Sequence, residues 1–109
     1  MVQVTLQPAE VCEVELLPVS DLAESLTARA FGGKCAVHIQ ASQDGLTWGS
    51  PVASARLSSE TTLLKLKLPV GTRKIRAVLE NHVGKATRVE IDDVVFREIK
   101  RDNAARKSA

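Results

Sequence analysis

Aromatic residues are almost absent from this chain, which has one Trp, two Phe and no Tyr among 109 residues. Its core must therefore be filled by Val, Leu, Ile and Ala, and few rings remain for a stacking site. Histidine is equally scarce. His38 and His82 stand alone in the sequence, with no nucleophile pair or elbow beside either. No acid–base set is legible, so the chain reads as non-enzymatic and without a cofactor. The two cysteines, Cys12 and Cys35, lack the four-ligand spacing of a zinc site. They read as buried free thiols, and a single disulfide between them stays open at this level. No apolar run approaches the roughly 20 residues of a membrane helix. The opening "MVQVTLQPAEV" carries no basic stretch ahead of an apolar one, so no signal peptide is expected. The expected location is the cytoplasm, or a virion assembled from it, with no membrane partner.

What is present is alternation. Val2, Val4 and Leu6 alternate with polar residues, as do Cys12, Val14 and Leu16, then Leu26, Ala28 and Ala30. The same period of two runs through Cys35–Ala41, Leu64–Leu68, Ile75–Leu79 and Val89–Ile91. Each run reads as a strand with one face in a core and one in water. Gly, Pro, Asn and Asp clusters separate the runs, among them Gly32-Gly33, Asp44-Gly45 and Pro69–Gly71. Asp44-Gly45 suits a tight hairpin turn. The apolar parity changes at Asp92-Asp93, since Val94 and Phe96 are out of step with Val89 and Ile91, and a β-bulge there would restore it. The segment "SDLAESL", residues 20–26, has the spacing of a capped helical turn.

The expected architecture is an all-β, antiparallel, jelly-roll-like β-sandwich of about eight strands. It forms a single domain over residues 1–99, followed by a basic tail at 100–109.

Net charge is only +2, but it is unevenly spread. Glu10, Glu13 and Glu15 begin an acidic N-terminal segment without Lys or Arg, and Lys100, Arg101, Arg106 and Lys107 crowd the tail. These two segments are the expected partner contacts, in a homo-oligomer or with other assembly proteins. A basic run, Lys65, Lys67, Lys74 and Arg76, has no interleaved aromatics, so nucleic acid is not the expected partner. Trp48, the largest side chain, is expected to close one end of the sandwich. Asp92 and Asp93 are the calcium candidates, short of the six to eight oxygens that ion takes.

Three motifs in order carry a resemblance: Ser42-x-Asp44-Gly45-x-x-Trp48, then Pro69-x-Gly71-x-x-x-Ile75-Arg76, then Ile91-Asp92-Asp93-Val94. Over residues 24–99 the chain resembles the galactose-binding-like β-sandwich, which includes discoidin-type and carbohydrate-binding modules. It also resembles small β-sandwich proteins of tailed-phage virions, among them decoration and tail-associated proteins. "SQDGLTW" is similar to the Asp box of sialidase-like propellers, but its Asp and Gly are adjacent and no repeat accompanies it. The resemblance implies a structural virion component acting through protein–protein contacts. The alternative it implies is a carbohydrate-binding module. It would bind through the loop around Trp48, with Asp44; separately, the basic strand face of Lys65, Lys67 and Arg76 is a candidate binding surface for phosphate.

Overall fold

A computed structural model describes residues 2–16 and 23–98. Eight strands follow one another: β1 (Val2–Leu6), β2 (Val11–Glu15), β3 (Ala23–Phe31), β4 (Ala36–Ser42), β5 (Ala53–Arg56), β6 (Thr62–Lys67), β7 (Lys74–Glu80) and β8 (Thr87–Glu98). They form two four-stranded antiparallel sheets, ordered β1-β8-β3-β6 and β2-β7-β4-β5. The order has a simple origin. β1 pairs with β8, β2 with β7, β3 with β6 and β4 with β5, all antiparallel. This is one long hairpin, rolled up so that β3 also meets β8 and β4 also meets β7. A hairpin rolled in this way is a jelly roll.

The inward residues are the alternating aliphatics. Leu26, Ala28 and Ala30 of β3 face Val37 and Ile39 of β4, Ile75, Ala77 and Leu79 of β7, and Val89 and Ile91 of β8, all buried. Small side chains on β3 and larger ones around it let the two layers approach without aromatic filler. Gly32 marks the tightest approach. A Cβ there would lie 2.9 Å from Val89 Cγ2 and 3.1 Å from Leu57 Cδ1. Both neighbours are buried, and Val89 is β-branched and stiff. Gly32→Ala is therefore expected to destabilise the domain by about 1–3 kcal/mol through overpacking, read from urea unfolding.

Three sequence expectations need correction or completion. The helical turn over 20–26 does not form in its described part, because Ala23–Leu26 begins β3 and Leu26 is buried against the other sheet. Residues 20–22 lie outside the described residues. The bulge at Asp92-Asp93 is present. Between Thr27 and Arg29 the partner on β8 changes from Val95 to Asp92, one residue more than on β3, and Asp93 takes φ 51°. That extra residue brings Val94 and Phe96 back onto the core side. Finally, Asp44-Gly45 does not make a two-residue hairpin. It lies in the longer connection between Ser42 and Ala53, and the short strand β5 beyond it went unread because Ala-Ser-Ala-Arg carries almost no hydrophobic contrast.

Cys35 is buried and Cys12 half-buried, and both are free thiols. Burial pushes the Cys35 thiol up from its ordinary value. No helix among the described residues is long and apolar enough to cross a membrane.

Candidate interaction surface

Both sheets carry ion pairs on their outer faces, and they differ at β6, whose lysines have none among the described residues. On β2-β7-β4-β5 nearly every charge has a partner on a neighbouring strand. Arg76, outward between the buried Ile75 and Ala77, donates from Nε to Gln40 Oε1 at 2.7 Å and from Nη1 to Glu13 Oε2 at 2.9 Å. Its guanidinium carbon lies 4.5 Å from the centroid of the Trp48 ring, and Gln40 Nε2 donates to Gly49 O in the same loop. Lys74 reaches Glu15 at 3.4 Å. Glu80 sits between two imidazoles, 3.3 Å from His38 Nε2 and 2.9 Å from His82 Nε2, while His38 Nδ1 lies 2.7 Å from Ser54 Oγ.

This changes the reading of several residues. Trp48 is half-buried, but it does not belong to the core cluster; one of its faces is taken by Arg76. Glu13 and Glu15 serve their own sheet, and Glu10 accepts a hydrogen bond from Gln7 N at 2.8 Å within its turn. The basic run is split: Lys74 and Arg76 belong to one sheet and Lys65 and Lys67 to the other. Lys100, Arg101, Arg106 and Lys107 lie outside the described residues. Asp92 Oδ1 accepts from Asp93 N, and Asp93 faces Arg29 at 3.8 Å. Among the described residues, no group of three or more His, Cys, Asp or Glu side chains is placed to hold a metal ion.

Asp44 is wholly engaged in shaping its loop. Its Oδ1 accepts from the amides of Leu46 and Thr47, both at 2.8 Å, and from Ser42 Oγ at 3.0 Å; its Oδ2 accepts from Thr47 Oγ1 at 2.8 Å. Ser42 Oγ in turn accepts from Gly45 N, and Gly45 takes φ 78°, open to glycine without strain. The amide of Thr47 first, then that of Leu46, holds the Asp44 carboxyl well below the usual carboxylate range. A depressed carboxylate stabilises the fold at pH values above its unfolded pKa, near 4, and that contribution is lost as pH falls below it. Asp44→Asn keeps an oxygen acceptor but does not titrate, so it should flatten the acid limb of a stability–pH curve between about pH 4 and 2. An unchanged acid limb would place the titration elsewhere.

The outer face of β1-β8-β3-β6 is built differently. Across three strands, Thr27 stands between Lys65 and Val95, and Ser25 between Lys67 and Arg97. The short Ser and Thr side chains of the central strand make a floor, and the longer residues on β6 and β8 make walls. These six residues bound an open trough of about 640 Å³. Leu63 extends the β6 wall, and it and Val95 are 56% and 58% exposed. Among the described residues, neither Lys65 nor Lys67 has a carboxylate within ion-pair distance; Arg97 has Glu24 at 3.9 Å. Lysines on an edge strand also discourage edge-to-edge pairing, a role β6 fits. That role does not account for Leu63 and Val95.

Sequence reasoning passed over both aliphatics. Their signal was the doublets Leu63-Leu64 and Val94-Val95, which place one residue on each face of a strand. Leu64 and Val94 pack on the core, and their neighbours point out.

No protein-family model matches the chain, and no curated protein matches it either.

Proposed function

We propose that this jelly roll is a non-catalytic structural subunit, working by protein–protein contact as a decoration or tail-associated component of a virion. The observation that carries the reading is the contrast between the two outer faces. One pairs its charges through Glu13–Arg76, Glu15–Lys74 and His38–Glu80–His82, leaving Val11 exposed on its edge strand β2. The other leaves Leu63 and Val95 exposed beside Lys65 and Lys67. Exposed aliphatics among unneutralised cations suit a partner protein surface that is apolar at its centre and acidic at its rim. A second copy offers no such surface from its acidic β2, whose carboxylates are already paired.

The reading takes the partner to be a different protein of the particle. The reading is tested by sedimenting particles from the cells that produce the protein through a density gradient. The chain should travel with the particles and be released by high salt. Recovery of the chain only as free monomer would reject the virion reading. The carbohydrate alternative through Trp48 is weakened by the Arg76 guanidinium that already covers one ring face.

A further inference from the structure

The two long sides of the sandwich are filled differently. Along one, β1 and β2 turn Val2, Val4, Leu6, Cys12 and Val14 onto the core. Along the other, β5 turns only Ala53 and Ala55 inward, across from Leu64 and Leu66 of β6. Two methyl groups do not span the width that larger aliphatics fill elsewhere, and a cleft of about 220 Å³ opens there between the sheets. Val37 and Ile39 of the core form its inner wall, and Leu64 is left half-buried. Apolar cavities of roughly 150 Å³ admit a benzene ring, so the cleft has room for aliphatic side chains.

Both strands flanking the cleft are edges. β6 ends one sheet and β5 the other, so among the described residues the backbone groups on the free side of β6 have no strand partner. Lys65 and Leu66 line both the cleft and the trough on the outer face. Along β6, Leu64 and Leu66 turn toward the core, while Lys65 and Lys67 turn to solvent with no carboxylate in ion-pair distance among the described residues. The molecule itself shows what such a strand accepts. β7 has the same alternation, with Lys74 and Arg76 outward and Ile75 and Ala77 buried. Its neighbour β2 sets Glu15 and Glu13 against those cations and turns Val14 onto the core.

We infer that the free edge of β6 takes an extended segment of the partner protein as an added strand, one in which acidic residues alternate with aliphatic ones; this rests on the proposed docking face and names what binds there. Lying about 4.8 Å from β6, the added strand completes the hydrogen bonds of the edge. Its aliphatic residues enter the cleft beside Leu64 and Leu66, and its carboxylates stand beside Lys65 and Lys67. The lysines exclude as well as attract. A second copy of β6 brings lysine against lysine, and the segment carrying Lys100, Arg101, Arg106 and Lys107 is basic too, so neither is the occupant.

The test uses the full chain, labelled for amide NMR, and three capped six-residue peptides. One alternates Val and Glu, one alternates Val and Lys, and one is a block of three Val followed by three Glu. The alternating Val–Glu peptide should shift the amides of residues 53–56 and 62–67 and slow the exchange of β6 amides with solvent. It should bind about tenfold more tightly than either of the others. Equal binding of the block peptide, shifts confined to residues 25–27 and 95–97, or no shifts would overturn the inference, and this comparison needs no variant. Ala55→Leu fills the cleft and leaves the outer face as it is. With its urea midpoint kept, it should lose about tenfold in binding of the Val–Glu peptide and of particles. Particles that bind Ala55→Leu at wild-type strength but reject Lys65→Glu with Lys67→Glu would leave the docking face standing and remove the added strand. A chain recovered free of particles would reject the virion reading, and the peptide comparison would still decide this one.

Discussion

Asn81→Ala should lower the unfolding free energy by about 3–5 kcal/mol, the largest stability loss expected from a single polar substitution in this chain. Asn81 is 1% exposed and lies where three connections meet. Its Nδ2 donates to Leu6 O at 2.9 Å, Gln7 O at 3.1 Å and Lys85 O at 3.0 Å. Its Oδ1 accepts from Val83 N at 2.9 Å and faces the Cys35 thiol at 3.7 Å. Its own backbone exchanges bonds with Ala9 N and Glu10 O. Removing the amide takes a donor from three carbonyls at this buried junction and an acceptor from Val83 N; Gln7 O keeps Glu10 N and Lys85 O keeps Thr87 Oγ1, but a methyl replaces none of the lost bonds. Asn81→Asp should be at least as damaging, since it turns a donor toward carbonyls into an acceptor. Urea unfolding measures both, and a loss below about 1 kcal/mol for Asn81→Ala would mean water replaces the amide at no cost.

Charge reversal on the proposed docking face should have the opposite profile, with intact stability and lost association. Lys65 and Lys67 are exposed, so Lys65→Glu with Lys67→Glu should change folding stability by no more than about 0.5 kcal/mol. Against the acidic rim that the proposal assigns to the partner, two like charges should weaken particle association by about a hundredfold or more. Arg56→Glu, an equal change of sign on exposed β5 of the other sheet, is the control and should leave association intact. Binding by the double variant at wild-type strength would remove this face from consideration.

The sandwich was legible in the sequence because alternation is a direct record of which side of a strand meets the core. Seven strands and the bulge at Asp92-Asp93 followed from that record alone. β5 did not, since Ala53 and Ala55 barely differ in hydropathy from Ser54, and an edge strand needs little side-chain contrast to pair. The turn expected at Asp44-Gly45 failed for a related reason. Local turn chemistry does not report loop length, and Asp44 uses its carboxylate to organise a longer connection.

The candidate surface was less legible than the fold. Lys65 and Lys67 could be singled out, but their separation from Lys74 and Arg76 is a matter of sheet order, which strand pattern does not encode. The pairing of Glu13 and Glu15 with β7 likewise depends on β2 and β7 being neighbours across a long stretch of chain. Asn81 looked like one more turn residue. Its role as a junction arises from contacts with Leu6 and Gln7, distant in sequence.

Lysine footprinting by mass spectrometry, comparing the protein on particles with the free protein, tests the central claim most directly. The claim is that the outer face of β1-β8-β3-β6 is the one a partner covers. Lys65 and Lys67 should then be protected on the particle, while Lys74, already engaged with Glu15 on the opposite sheet, keeps the reactivity it has in the free protein. Equal labelling of Lys65 and Lys67 in both states, with protection falling on Lys74 instead, would contradict it.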